Sequence, residues 1–301
     1  RRQRQMCIRD SSYNGKVISI LFDAICHQSD VYINGHHLGF RPYGFCSIEY
    51  DLTPYLDYDG ENVIAVRVNR SGVKDVARWY TGSGIYRHAW LQVTNPVHVA
   101  TYGTYVTTPS VSEDKAEIRI MTTLENELKK VQTVSISHLI LDNQGKIVAK
   151  SGTEKTLFEA GQSIKITQNL TLNYPRLWTL EKPELYTLET TVKANGKVTD
   201  LYKTPFGIRT IAFDSEKGFL LNGKQVKLKG MCLHQDAGSL GTAVLDRSYE
   251  RRLEIIKEYG CNAIRCSHNQ PSPEFLDMCD RMGFVAVSYT HLRAHETDSY
   301  L

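Results

Sequence analysis

The sequence lacks long apolar runs, paired-cysteine motifs and any large excess of charge, and each gap removes a class of protein. No stretch approaches the roughly 18 apolar residues that a helical membrane span needs. The formal charge of +3, from 36 Lys and Arg against 33 Asp and Glu, is too small to favour nucleic acid or an acidic membrane surface. The cysteines, Cys7, Cys26, Cys46, Cys232, Cys261, Cys266 and Cys279, are odd in number and form no CxxC pair. They read as buried free thiols in apolar strands and helices, not as disulfides or a metal site. That suits a reducing or merely cysteine-tolerant compartment. No secretory leader is legible, so compartment stays open.

Helical periodicity is scarce as well, until late in the chain. From Ser12 to about Thr94 the pattern is that of short strands. Val17 to Phe22 is an apolar strand, and Asp30-Val31-Tyr32-Ile33 runs into the tight-turn pair Asn34-Gly35. Cys46 to Leu52 alternates in and out, and Asn62 to Val68 does the same with β-branched residues. This predicts a jelly-roll β-sandwich over residues 11–96. The loop from Arg78 to Arg87 sets Trp79 and Tyr80 beside Gly82 and Gly84, which suits packing against another domain or contact with a sugar face.

Asn95-Pro96 closes that domain, and residues 97–209 repeat the strand period. Ala116 to Thr122, Gln132 to Leu141, Ser163 to Leu172 and Tyr186 to Val192 alternate, with turns at Asn143-Gln144-Gly145 and Asn195-Gly196. No Cys…Trp…Cys frame is present. The expectation is an immunoglobulin-like β-sandwich without its disulfide, serving as a spacer.

Over residues 210–287 the period changes. A strand from Val226 to Gly230 leads into Met231-Cys232-Leu233-His234-Gln235-Asp236. Asp246 caps a helix with Tyr249, Leu253, Ile256 and Tyr259 on one face, and Gly260 stops it. A strand at Cys261 to Arg265 is followed by the loop Ser267-His268-Asn269. Ser272-Pro273-Glu274 then starts a second helix through Phe275, Cys279 and Met282, and Gly283 to Val287 begins a third strand. Strand, helix, strand, helix, strand is the start of a parallel α/β unit, with polar residues just past the strand ends.

Both ends resemble translated adapter sequence, so residues 1–10 and 288–301 are set aside as artefactual tails. His291 and His295-Glu296 lie in the second tail and are not read as a metal site.

The order of these parts and their motifs resemble glycoside hydrolase family 2, which holds β-galactosidases and β-glucuronidases. The resemblance runs through Val31-Tyr32-Ile33-Asn34-Gly35, the Trp79-to-Arg87 loop, Pro183-Glu184-Leu185-Tyr186 and Phe206-Gly207-Ile208-Arg209. It is strongest in Leu220-Asn222-Gly223-Lys224, Leu228-Lys229-Gly230, His234, Asp236 and Asn262-Ala263-Ile264-Arg265-Cys266-Ser267-His268. Trp79-Tyr80 and Ser267-His268-Asn269 look most like the β-galactosidase-type members. The resemblance implies that residues 210–287 are the truncated start of a (β/α)8 TIM barrel.

It also implies retaining hydrolysis of a β-glycoside by two glutamates about 5–5.5 Å apart. The third strand usually continues into Asp-Glu in this family; here Ser288-Tyr289-Thr290 follows, so neither glutamate has a counterpart. No cofactor or metal is expected. The implied partner is carbohydrate, a β-galactoside or related oligosaccharide, and the full-length protein is open to homo-oligomer formation. His268 and Arg265, expected just past a strand, match positions that shape the family's sugar pocket. Asn262, His234 and Asp236 are candidates for its lining. His268-Asn269-Gln270-Pro271 departs from the common His-Tyr-Pro and leaves sugar preference open. The rival reading is a non-catalytic carbohydrate-binding or scaffolding protein of two sandwiches. An incomplete barrel is expected to expose the apolar strands at Ile264 and Val285, giving poor solubility and no turnover.

Overall fold

The computed structural model describes residues 7–8, 13–71, 82–152 and 155–288. The chain divides into two compact units. One holds Ser19–Gln92 together with the chain from Leu228 onward, the other Val93–Lys227 with Tyr13–Ile18.

In the first unit the alternating segments form the strands they predict. Ser29–Ile33 pairs antiparallel with His36–Arg41 and with Asn62–Val68. The turn between the first two uses Asn34 and Gly35 at φ 50° and 85°, the left-handed values an Asn-Gly hairpin requires. A second sheet orders Ile48–Asp51, Val17–Phe22 and Ala89–Thr94. Ile18, Ile20, Phe22, Val31 and Ile33 are almost wholly buried, as the inward positions of a sandwich should be. Cys7–Ile8, within the stretch set aside as a tail, pairs antiparallel with Asn62–Val68. The rest of residues 1–10, residues 289–301 of the second tail, and residues 78–81 of the aromatic loop lie outside the described residues.

The same unit contains three parallel strands in the order Gly230–Leu233, Ala263–Cys266, Val285–Val287. The first begins at Gly230 rather than Val226, because the hairpin Gly218–Leu221 to Lys224–Gln225 ends just before it. Helix α1 spans Asp246–Glu258 and helix α2 spans Pro273–Met282. Ser272 caps α2 by accepting from Phe275 N, Pro273 takes the first position, and Gly283 ends it at φ 74°. Asp246 is not a cap: it is the first helical residue, after Leu245, and its side chain accepts nothing from the helix start. Tyr249, Leu253 and Ile256 face inward as expected. Tyr259 is 77% exposed: it is the cap after the last helical residue, Glu258, and lies to one side of that face.

Register explains which strand residues face the helices. Leu233 pairs with Cys266 and Met231 with Ile264, and Leu233, Ile264 and Cys266 pack with both helices and Phe284 in one core. Ile264 is therefore fully buried, contrary to the expected exposed strand, since α1 and α2 cover its face without help from further barrel units. Cys232 pairs with Arg265, and Arg265 with Val287, so these three share the opposite face.

The second unit is an antiparallel sandwich. Lys115–Asn126 lies between Val97–Val111 and Ser163–Asn173. The facing sheet orders Ile147–Lys150, Gln132–Leu141, Tyr186–Ala194 and Lys197–Phe206, with Thr156–Phe158 also pairing to Gln132–Leu141. Motifs quoted for the family resemblance meet here around Trp178, which is 1% exposed. Arg209 stacks its guanidinium 4.6 Å from the Trp178 ring. A Cβ on Gly207 would lie 2.9 Å from that of Trp178, so only glycine permits this approach. Asn222 donates to Trp178 O at 3.0 Å and accepts from Thr210 N at 2.9 Å. By contact, residues 210–227 pack in the same unit as this sandwich. These motifs carry packing, not chemistry.

His138 is buried in this unit, its Nδ1 3.0 Å from Thr190 Oγ1. Burial pushes its pKa down to about 4. The unfolded chain, titrating near 6.5, then binds more protons between these values, so stability is present above that window and lost as pH falls through it. His138→Leu should flatten the pH dependence of the urea midpoint between pH 7 and 4, where the unmodified chain loses on the order of 3 kcal/mol.

Candidate functional site

The carboxyl ends of the parallel strands release His234, Gln235 and Asp236 after the first, and Ser267, His268 and Asn269 after the second. Because the strands are adjacent and parallel, the loops emerge side by side. The His234 and His268 rings meet edge to face with centroids 5.8 Å apart. His268 is exposed, while His234 and Asp236 are half-buried. Asp236 is held through its backbone, its carbonyl accepting from Arg252 Nη2 of α1.

Arg265 lies within the second strand rather than past it, on the face away from the helices. Its Nη1 donates to Ser267 Oγ at 2.8 Å and to Cys232 Sγ at 3.4 Å. Asn262 is not brought to the other candidates. It sits at the opposite end of the same strand, where its Oδ1 accepts from Lys229 N at 2.8 Å and aligns the first strand with the second. The structure thus gathers His234, His268 and Asp236 past the strand ends, with Arg265 beneath them, and gives Asn262 a structural contact.

Residues not singled out from the sequence hold these loops. Gln235 is 6% exposed and donates to Gln270 O at 2.7 Å. Arg87, from the sandwich, donates to Gln235 Oε1 and to the same Gln270 O, at 2.7 Å for the latter. Tyr43 donates to Asn269 Oδ1 at 3.3 Å. A small recess, open to solvent, is lined by His234, Gln235, Tyr249, Ser267, Asn269 and Phe275 among others. It lies on the helix-covered side of the sheet. Of the candidates, His234 alone lines it, so it is distinct from the face that carries Arg265.

The thiols split by environment. Burial raises Cys26 to about 12 and Cys266 to about 11. Cys232 departs from the expected burial: it is exposed on the edge strand, and hydrogen bonds from Arg265 and then Ser267 hold its thiol below the ordinary range.

Two β-sandwiches and the opening strands of a parallel barrel, with polar side chains at the carboxyl ends, define a multidomain barrel protein. Sequence models of the glycosyl hydrolases family 2 match every part: the sugar binding domain over 2–96, the model bearing the family's own name over 97–209, and the TIM barrel domain over 213–301. The chain belongs to glycoside hydrolase family 2. It is 49% identical to the β-galactosidase BoGH2A of Bacteroides ovatus across 92% of this chain and 32% of that protein. A β-glucuronidase of Formosa agariphila is 34% identical, across 91% of this chain and 30% of its own length. A family 2 crystal structure from Bacteroides cellulosilyticus superposes with a TM-score of 0.90 at 39% identity, over 94% of this chain and 39% of that one. The chain spans about a third of the length of the curated relatives it matches.

Alkylation at neutral pH tests the Arg265 contact, because the thiolate is the reacting form. Cys232 should react with iodoacetamide well before Cys26 or Cys266. Arg265→Gln should slow Cys232 several-fold, as read by mass spectrometry of peptides after timed quenching.

Proposed function

We propose that this chain supplies the sandwich modules and part of the sugar-pocket floor of a retaining β-glycosidase that acts on terminal β-linked sugars, β-galactosides above all. The observation carrying this reading is the meeting of His234 and His268 past adjacent parallel strands, with Arg265 in the same strand below. Such ends are where parallel barrels keep their chemistry. Imidazoles there offer donors and acceptors to sugar hydroxyls, and hydrogen bonds that strengthen as the sugar distorts lower the barrier. The preference for galactosides rests on the identity to the Bacteroides ovatus β-galactosidase. In this reading residues 11–96 form the sugar-binding sandwich, 97–209 the spacer and 210–287 the first barrel units.

Retaining cleavage needs two carboxyl groups about 5–5.5 Å apart. Among the described residues past the strand ends, Asp236 is the one carboxylate. Glu250, Glu254 and Glu258 lie on α1, and Arg247 binds Glu250 and Glu254 at 2.8–3.0 Å, so those two serve as helix-face ion pairs. These 301 residues should therefore position sugar without cleaving it.

The purified chain is expected to give no release of nitrophenol from a nitrophenyl β-galactoside. The parent reading frame, expressed whole, should hydrolyse that substrate at least an order of magnitude faster than the matching glucuronide. Turnover by the 301-residue chain itself would contradict the division of labour, and a preference for the glucuronide would contradict the sugar assignment.

A further inference from the structure

A second cluster of ionisable side chains lies away from the strand ends, where the sandwich of the first unit meets the helices. Asp23 follows the strand Val17–Phe22 and His88 precedes Ala89–Thr94. The backbone joins them: Asp23 N donates to His88 O at 3.0 Å. Glu274 reaches the same spot from the first turn of α2. His88 Nδ1 is 3.2 Å from Glu274 Oε1 and 3.8 Å from Asp23 Oδ2, and ligand atoms of all three residues lie within 4.8 Å of one another.

An ion pair alone accounts poorly for this arrangement. One imidazole nitrogen carries at most one proton and can donate it to one carboxylate at a time, yet Nδ1 faces two. The 3.2 and 3.8 Å separations from His88 Nδ1 bracket the spacing of ligands around a shared cation. Ligands held 2.0–2.2 Å from a tetrahedral ion lie roughly 3.3–3.6 Å from each other. The surroundings match a metal's outer shell too. His88 Nε2 faces Asp246 Oδ2 at 3.6 Å, the carboxylate–imidazole arrangement that orients a ligating histidine. Trp90 donates from Nε1 to Asp23 Oδ2 at 3.0 Å and stacks on the His88 ring at a centroid distance of 5.2 Å, fixing both ligands.

We propose that Asp23, His88 and Glu274 bind a divalent cation of the zinc or manganese class, which ties the sugar-binding sandwich to α2. One imidazole and two carboxylates are a hard-to-borderline donor set, suited to these ions rather than to copper(I) or a cluster. The ion is structural: it sits at the start of α2, not beside His234 and His268, and takes no part in the proposed sugar chemistry. Sequence reading expected no metal, because the three ligands come from separate elements with no spacing motif.

Titration of the whole chain with Zn²⁺ and with Mn²⁺, followed by calorimetry and by the emission of Trp90, tests the site. One equivalent should bind with micromolar affinity, perturb the Trp90 emission and raise Tm in proportion to the logarithm of metal concentration. His88→Gln and Glu274→Gln should each weaken binding at least tenfold while keeping the wild-type circular dichroism. Should either variant lose its fold, Asp246→Asn, which removes only the outer carboxylate, should still weaken binding measurably. Absence of saturable binding to the unmodified chain, or equal affinity in folded variants, would overturn the proposal.

Discussion

The Arg87 guanidinium is the contact on which the candidate site most depends. It reaches from the sandwich to Gln235 and to the Gln270 carbonyl, and Gln235 donates to that same carbonyl. One side chain and one buried amide thereby fix the loop after the first parallel strand against the loop after the second. His234 precedes Gln235 and His268 lies two residues before Gln270, so the facing of the two rings follows from this junction. Hydrogen bonds to a charged donor are worth more than neutral ones, and leaving the buried Gln235 oxygen unmade costs more than the bond itself contributes. The sandwich is therefore part of the site's scaffold as well as a neighbour of it.

A second constraint is the two-faced nature of a parallel sheet. Such sheets are stable when both faces are covered. Here α1 and α2 bury Leu233, Ile264 and Cys266 on one face, and the other carries Cys232, Arg265 and Val287. That division puts the apolar side chains against the helices and leaves Cys232 and Arg265 on the other side. It also accounts for the reactive character assigned to Cys232, whose chemical identity is shared with buried neighbours but whose surroundings are not.

Much of this architecture was legible from residues alone. Alternation at Asn62–Val68 and Gln132–Leu141 gave those strands their observed limits, since one face of each had to be buried. The Ser272-Pro273 start and Gly283 stop of α2 were legible for the same kind of reason: each residue type satisfies a local backbone need. What failed was tertiary. Nothing local says that α1 ends before Tyr259, or that Val226 to Lys229 is spent on leaving a hairpin before the strand starts. Asn262 looked like a pocket residue because it stands in a motif with Arg265 and His268. Its Oδ1 accepts from Lys229 N, which is distant in sequence. Arg87, Gln235 and the Asp23–His88–Glu274 group were illegible on the same grounds, since long-range polar contacts leave no periodic trace.

The central claim is that His234 and His268 form one sugar-facing pair held by the sandwich. Its most direct measurement is an NMR titration of the chain, isotope-labelled at histidine, with a non-hydrolysable β-galactoside. The account predicts that the His234 and His268 ring resonances shift together along one saturable curve while buried His138 stays fixed. Saturable binding that leaves both rings unmoved, or moves them with different affinities, would contradict it.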